Sequence, residues 1–316
     1  MMMSFSSEVK NEIAHGMPEK ECCRIAEAAG FVRTAGALKP AGRGEVGLSA
    51  VSGNPAVARH VKSLLAELSV EPGISVSVAN TGGRISSKRY IIEMPAAETT
   101  FRLLSALGII ERKDGLLSIT VGIPQSAAYG KCCRKSYLRG MFLGSGSVAD
   151  PERSYHFEIL AGGAALAADT RRLMNSFSGI HAGVSQRRDK SVVYLKSAEQ
   201  IKDMLGILGA HAHLLAFEDV RMIHEMKGAA NRISNCDNAN VDRSIRASNT
   251  QMKMIARIER SAGGLAALPQ KLREAACLRR DNPEASLTEL GALMNPPVGK
   301  AAAAARFARL EKAGKL

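Results

Sequence analysis

Apolar residues recur along this chain with two periods, and the alternation between them runs through the sequence twice. Val57, Val61, Leu64, Leu65 and Leu68 fall at the three- and four-residue spacing of a helix face, as do Leu166, Leu173, Met174 and Phe177. Short runs ahead of these helices, residues 45–50 and 154–160, read as strands. So do two pairs behind them, 74–79 with 90–94 and 183–186 with 192–195. Turns are expected at Ser52-Gly53-Asn54-Pro55, Gly82-Gly83, Gly162-Gly163 and Arg187-Arg188-Asp189-Lys190. Asn54 with Pro55 predicts a cap and a first helical turn. Helices over 98–107 and 199–208 should end at Gly108 and Gly209, because glycine accepts the left-handed backbone of a helix end.

The repetition has a fixed offset. Cys22-Cys23-Arg24 returns as Cys132-Cys133-Arg134, and Gly36 as Gly146, each 110 residues on. The element order is helix–strand–strand–helix–strand–strand–helix in both copies. Hairpins between helices imply antiparallel sheets with helices on one face, an α+β fold with pseudo-two-fold symmetry. Gly140-Met-Phe-Leu-Gly144 places two residues without Cβ on one helical stripe, and Ala26 with Gly30 does the same in the earlier copy. Stripes of small residues let helix backbones approach closely, so Gly30, Gly140 and Gly144 are expected where one copy packs on the other.

Leu138-Arg139-Gly140-Met141-Phe142-Leu143-Gly144-Ser145-Gly146-Ser147 resembles a degenerate form of the LAGLIDADG homing-endonuclease motif. The resemblance implies a duplicated αββαββα saddle. In that family each motif helix ends in an Asp or Glu just before its last glycine, and the two carboxylates hold the divalent metals that activate water. The matching positions here are Ala35 and Ser145, neither of which can replace a carboxylate at a hard cation. No catalytic residue, no metal and no cofactor is therefore expected, and nuclease activity by that mechanism is not.

Charge shifts attention to the C-terminal third. The 316-residue chain has a formal net charge of +13, which favours polyanions. From Lys227 onward sixteen Lys/Arg face eight Asp/Glu, leaving +8 in the last 90 residues. No apolar run approaches the ~20 residues that span a bilayer. The polar opening Met-Met-Met-Ser-Phe-Ser-Ser does not read as a signal peptide, so a cytoplasmic chain associated with the nucleoid is expected. The cysteine pairs lack the spacer of a zinc knuckle and read as small buried thiols that recur because the unit recurs. His211-Ala-His213 has no third ligand near it in sequence and reads as ordinary helix-end sequence.

Two basic segments stand out. In the first, Asn235 and Asn238 are three apart, as are Arg243 and Arg246, so a helix would put each pair on one face. With Asn231 and Arg232 they fit either phosphate and base-edge contacts or a solvated linker helix. In the second, Pro269 suits a first helical turn, and Ser286 with Glu289 forms a capping box for a helix over 287–294. Asn295-Pro296-Pro297 stops that helix, and a last one runs over 299–313. This fits either a helix-turn-helix or a plain three-helix cap. Lys300, Arg306, Arg309 and Lys312 lie along the last helix.

Over essentially its whole length the chain resembles the WhiA family of sporulation and cell-division regulators. The resemblance rests on Met3-Ser4-Phe5-Ser6-Ser7-Glu8-Val9-Lys10, Tyr137-Leu138-Arg139-Gly140, Asp150-Pro151-Glu152-Arg153-Ser154-Tyr155-His156, Asn231-Arg232 with Asn235-Cys236 and Ala239-Asn240, residues 268–274 and 283–287, and Pro296-Pro297-Val298. It implies an inactive endonuclease-like domain over 1–225, in repeats of about 1–110 and 111–225. A basic linker helix over 226–262 and a helix-turn-helix domain over 263–316 would follow. The implied activity is non-enzymatic regulation of cell-division and sporulation promoters through double-stranded DNA. An alternative is a protein-interaction module that contacts a sigma factor or RNA polymerase. One departure stands out: after Val298, where the family has Ser-Lys-Ser-Gly and polar residues, this chain has Gly299-Lys300 and then alanine from 301 to 305. Alanine favours the helix but offers base edges only a methyl group.

Overall fold

A computed structural model describes residues 3–42, 45–69, 73–81, 87–113, 116–187 and 190–313. The chain divides into two units, Met1–Ile223 and His224–Leu316.

The first unit opens with α1 (Phe5–His15), which Ser4 caps by accepting the Ser7 amide at 3.3 Å. The first repeat follows: α2 (Glu21–Ala35), β1 (Gly36–Gly42), β2 (Glu45–Ser52), α3 (Pro55–Leu68), β3 (Ser75–Thr81), β4 (Ser87–Met94) and α4 (Glu98–Ala106). A hairpin, β5 (Ile110–Lys113) and β6 (Leu116–Ile119), leads to the second repeat. That repeat is α5 (Lys131–Ser145), β7 (Gly146–Val148), β8 (Phe157–Ala161), α6 (Ala164–Asn175), β9 (Gly183–Arg187), β10 (Lys190–Leu195) and α7 (Ala198–Leu208). The two antiparallel sheets have the same strand order, β1-β2-β4-β3 and β7-β8-β10-β9. The expected Gly82-Gly83 turn and the Arg188-Asp189 tip lie outside the described residues.

Register follows burial. Val46, Leu48 and Ala50 alternate inward along β2, and Leu48 and Ala50 pair with buried Met94 and Ile92 of β4. Phe157, Ile159 and Ala161 do the same along β8, as period-two packing on one covered face requires. The strand expected from residue 154 begins only at Phe157, because Asp150 accepts the amides of Arg153 and Ser154 and closes a turn there. Asn54 caps α3 as expected, its Oδ1 accepting from the Ala56 and Val57 amides at 2.8 and 3.2 Å. Gly108 and Gly209 both adopt positive φ.

The repeats meet along α2 and α5. A Cβ at Gly30 would overlap the Tyr137 carbonyl oxygen, and one at Gly140 would overlap that of Glu27. One at Gly144 would run into Thr34 Oγ1. The buried Glu27 carboxylate beside this seam meets His60 Nε2 at 2.5 Å and Arg139 Nε at 3.0 Å. Arg139 also donates to the carbonyls of Ile13 and Gly16, tying α1 to the pair.

α8 (His211–Glu259) carries the chain from the first unit into the second. At its start the Glu12 carboxylate accepts the Ala212 and His213 amides at 2.7 and 3.1 Å and meets the His213 ring. After a short 3₁₀ turn at Gly264–Ala267 come α9 (Gln270–Asp281), α10 (Leu287–Leu293) and α11 (Lys300–Ala313). They enclose a separate core that includes Ile255, Ile258, Ala275, Ala276, Leu290, Met294, Ala303, Phe307 and Leu310.

Candidate nucleic-acid interface

Local chemistry sets the α10–α11 geometry. Ser286 Oγ accepts the Glu289 amide at 3.3 Å while the Glu289 carboxylate accepts the Ser286 amide at 2.7 Å, completing the capping box. The hydrogen bond from the Ser286 amide, foremost, holds the Glu289 carboxyl below its ordinary pKa. The turn then doubles back so closely that the Val298 amide donates to the Gly291 carbonyl at 2.9 Å. A Cβ on Gly291 would overlap the Val298 carbonyl oxygen, so this approach requires glycine. Arg279, almost wholly buried, braces the assembly with no acidic partner among the described residues. It donates to Gln251 Oε1 at 2.8 Å and to the Pro283 and Ala285 carbonyls, with its guanidinium over the Phe307 ring.

Ala303, Phe307 and Leu310 turn α11 onto the core. Lys300, Ala301, Ala302, Ala305, Ala308, Arg309 and Lys312 are exposed. Arg306, expected among the phosphate contacts, points inward instead. Its side chain is 12% exposed and Nη1 donates to Glu274 Oε2 at 3.1 Å. Glu274 Oε1 accepts the Asn295 amide at 2.6 Å, so this pair fastens both α11 and the turn to α9. The exposed face of α11 thus presents alanine methyls between Lys300 at its start and Arg309 and Lys312 near its end.

Asn231, Arg232, Asn235, Asn238, Arg243 and Arg246 are all exposed on α8. At about 100° per residue they share one arc of roughly 140°. Arg243 is held on its own helix by Ala239 O at 3.1 Å and Asn240 Oδ1 at 2.6 Å. Met226, Ile233, Val241 and Ile245 occupy the other half of the helix and are also exposed.

At the endonuclease-like positions, Ala35 and Ser145 are the last residues of α2 and α5, in equivalent places. Ser145 Oγ donates to the Leu160 carbonyl at 2.7 Å, so its hydroxyl is committed to the backbone. Lys10 Nζ reaches the Leu143 carbonyl in the last turn of α5 at 3.4 Å, and burial lowers its pKa to about 8.

At the opposite end of the same helix pair, the fold assembles what spacing along the sequence did not reveal. The sulfurs of Cys22, Cys23, Cys132 and Cys133 all lie within 4.8 Å of one another. Burial pushes the Cys23 thiol up to about 12 and raises Cys133, whereas hydrogen bonds from Cys23 and Cys133 lower exposed Cys132. The available signal was the recurrence of the pair at the repeat offset, which two-fold symmetry converts into proximity.

Family models cover nearly all of this architecture: a WhiA N-terminal LAGLIDADG-like domain over 21–110, a WhiA LAGLIDADG-like domain over 134–227, and a WhiA C-terminal HTH domain over 230–313. A relative from Alkaliphilus metalliredigens, named "Probable cell division protein WhiA", is 37% identical over 98% of this chain and 97% of its own length. The chain belongs to the WhiA family. A WhiA relative of the same name from Heliobacterium modesticaldum is 39% identical over 98% of this chain and 95% of its own. The full-length WhiA crystal structure from Thermatoga maritima shares the fold at 24% identity, with a TM-score of 0.59 over 99% of this chain and 98% of that one. Among the described residues no helix is long and apolar enough to cross a membrane.

Proposed function

We propose that this chain is a DNA-binding transcription regulator of cell-division and sporulation genes that lacks nuclease activity. The observation that carries the reading is the tight α10–α11 helix-turn-helix, whose exposed face bears Lys300, Arg309 and Lys312 in the +8 segment of the chain. The second helix of such a motif enters the major groove. Here its alanine face offers methyl contact with thymine, so phosphate contacts by the three cations carry most of the affinity. The Asn/Arg arc of α8 adds a second polar surface, with Asn231, Arg232, Asn235, Asn238 and Arg246 as contact residues. The saddle serves as scaffold, since Ala35 and Ser145 offer no carboxylate to a catalytic cation. A cytoplasmic protein held on the nucleoid follows from this role.

A gel-shift salt series with promoter DNA tests the proposal. Counterion release requires log affinity to fall linearly with log salt, by about 0.9 per phosphate neutralised. An affinity indifferent to salt would sink the reading. Supercoiled DNA incubated with Mg²⁺ or Mn²⁺ should stay intact, and the Ala35→Asp/Ser145→Asp protein is the informative control.

The exposed apolar half of α8 favours a second reading, in which the chain also contacts a sigma factor or RNA polymerase. Replacing Met226 and Ile233 with serine should then abolish polymerase pull-down and leave the gel shift unchanged.

A further inference from the structure

We propose that Cys22, Cys23, Cys132 and Cys133 form one tetrahedral tetrathiolate site for a single zinc ion, held where α2 and α5 begin. Each repeat supplies two sulfurs, so the ion sits on the pseudo-two-fold axis and joins segments 110 residues apart.

Geometry carries the assignment. Zinc–sulfur bonds of about 2.3 Å in a tetrahedron set sulfur–sulfur separations of about 3.8 Å. The four sulfurs already lie within 4.8 Å of one another, and the Cys132 and Cys133 sulfurs are 3.9 Å apart. Small side-chain rotations close the remainder. An iron–sulfur cluster is disfavoured by the same dimension, because its iron and sulfide atoms hold the thiolates farther apart than one ion does. Four sulfurs and no water position make a closed site, structural rather than catalytic. Cys22 and Cys132 are exposed, which gives an ion a way in, while Cys23 and Cys133 are buried beneath them.

The surroundings suit the charge. Binding converts four thiols and Zn²⁺ into a dianion and releases four protons to solvent. Two helix N-termini converge on that dianion, each worth about half a positive charge. Neither start is capped by a side chain, since Lys20 and Gly130 make no side-chain cap hydrogen bond, so no capping group competes with the dianion for the helix ends. Lys20, Lys135 and the Ser136 hydroxyl line the cavity beside Cys23 and Cys132, as does Glu19. Donors behind a ligand sulfur are the usual means of fixing a thiolate in place.

Full-length protein purified under reducing conditions tests this by elemental analysis and cobalt substitution. The expected result is about one zinc per chain. Cobalt should give the intense thiolate charge-transfer and visible bands of a tetrahedral tetrathiolate. The isosteric Cys22→Ser/Cys132→Ser protein, with its fold checked by circular dichroism, should lose both. Its zinc affinity should fall by more than the about 10–100-fold that loss of a supporting hydrogen-bond partner costs. Cys236→Ser, on exposed α8, should retain both. Zinc well below one per chain in the wild type, acid-labile sulfide, a disulfide among the four cysteines, or an octahedral cobalt spectrum would each overturn the site. Because the wild-type cobalt spectrum decides alone, a double variant that fails to fold does not rescue the proposal. Loss of DNA binding bears only on the proposed function, not on this one.

Discussion

Arg306 and Arg309 sit less than one helical turn apart and face opposite fates. Arg306 is spent on Glu274, and Arg309 faces solvent. Arg306→Ala should therefore destabilise the C-terminal unit by about 1–2 kcal/mol in denaturant titrations while leaving the salt slope of DNA binding intact. Arg309→Ala should do the reverse, changing stability by no more than about 0.5 kcal/mol and reducing the slope by about 1. Lys10 offers a test by pH. Burial lowers its pKa from 10.5 to about 8, so between those values the unfolded chain binds the extra proton. The Lys10 contribution to stability must then increase as pH rises through that window. Subtracting the pH profile of Lys10→Met from that of the wild type isolates this rise, and a flat difference would refute the buried ammonium.

At the scale of elements, the cap and turn residues were the most legible. Asn54-Pro55, Gly108, Gly209 and the Ser286/Glu289 box act within four residues of where they stand, so sequence alone exposes them. β1 was hidden because Pro40, Gly36 and Gly42 are poor strand formers and its pairing with β2 is what orders it. β7, with three residues, is too short to show a period. The inward direction of Arg306 is not legible in its charge, because the Glu274 carboxylate that captures it lies 32 residues earlier. The cysteine cluster was invisible for a related reason, since only the packed fold turns an offset of 110 into contact. The seam itself invites a test: Gly30→Ala or Gly140→Ala drives a methyl into a backbone carbonyl that cannot rotate away. A loss of about 3 kcal/mol or more is expected, read as a lower denaturation midpoint. Gly53→Ala, where an added methyl meets open space, serves as the control.

At the scale of the whole molecule, the proposed function lies outside the duplication. The paired repeats keep the endonuclease-like frame without a carboxylate at either helix end, while the cations proposed for DNA binding lie in a unit with its own core. Deleting residues 263–316 should accordingly abolish sequence preference in gel shifts. Retained preference would move recognition onto the saddle.

The α2–α5 seam is reciprocal: each helix lends a glycine floor to a carbonyl of the other. A single repeat made alone would therefore display half of a matched surface whose complement is a near copy of itself. Residues 21–110 expressed without the rest of the chain should pair with themselves, and sedimentation should find dimers. In the intact chain the covalent connection gives each half a high effective concentration of its complement, which favours pairing within one molecule over exchange of halves with a neighbour.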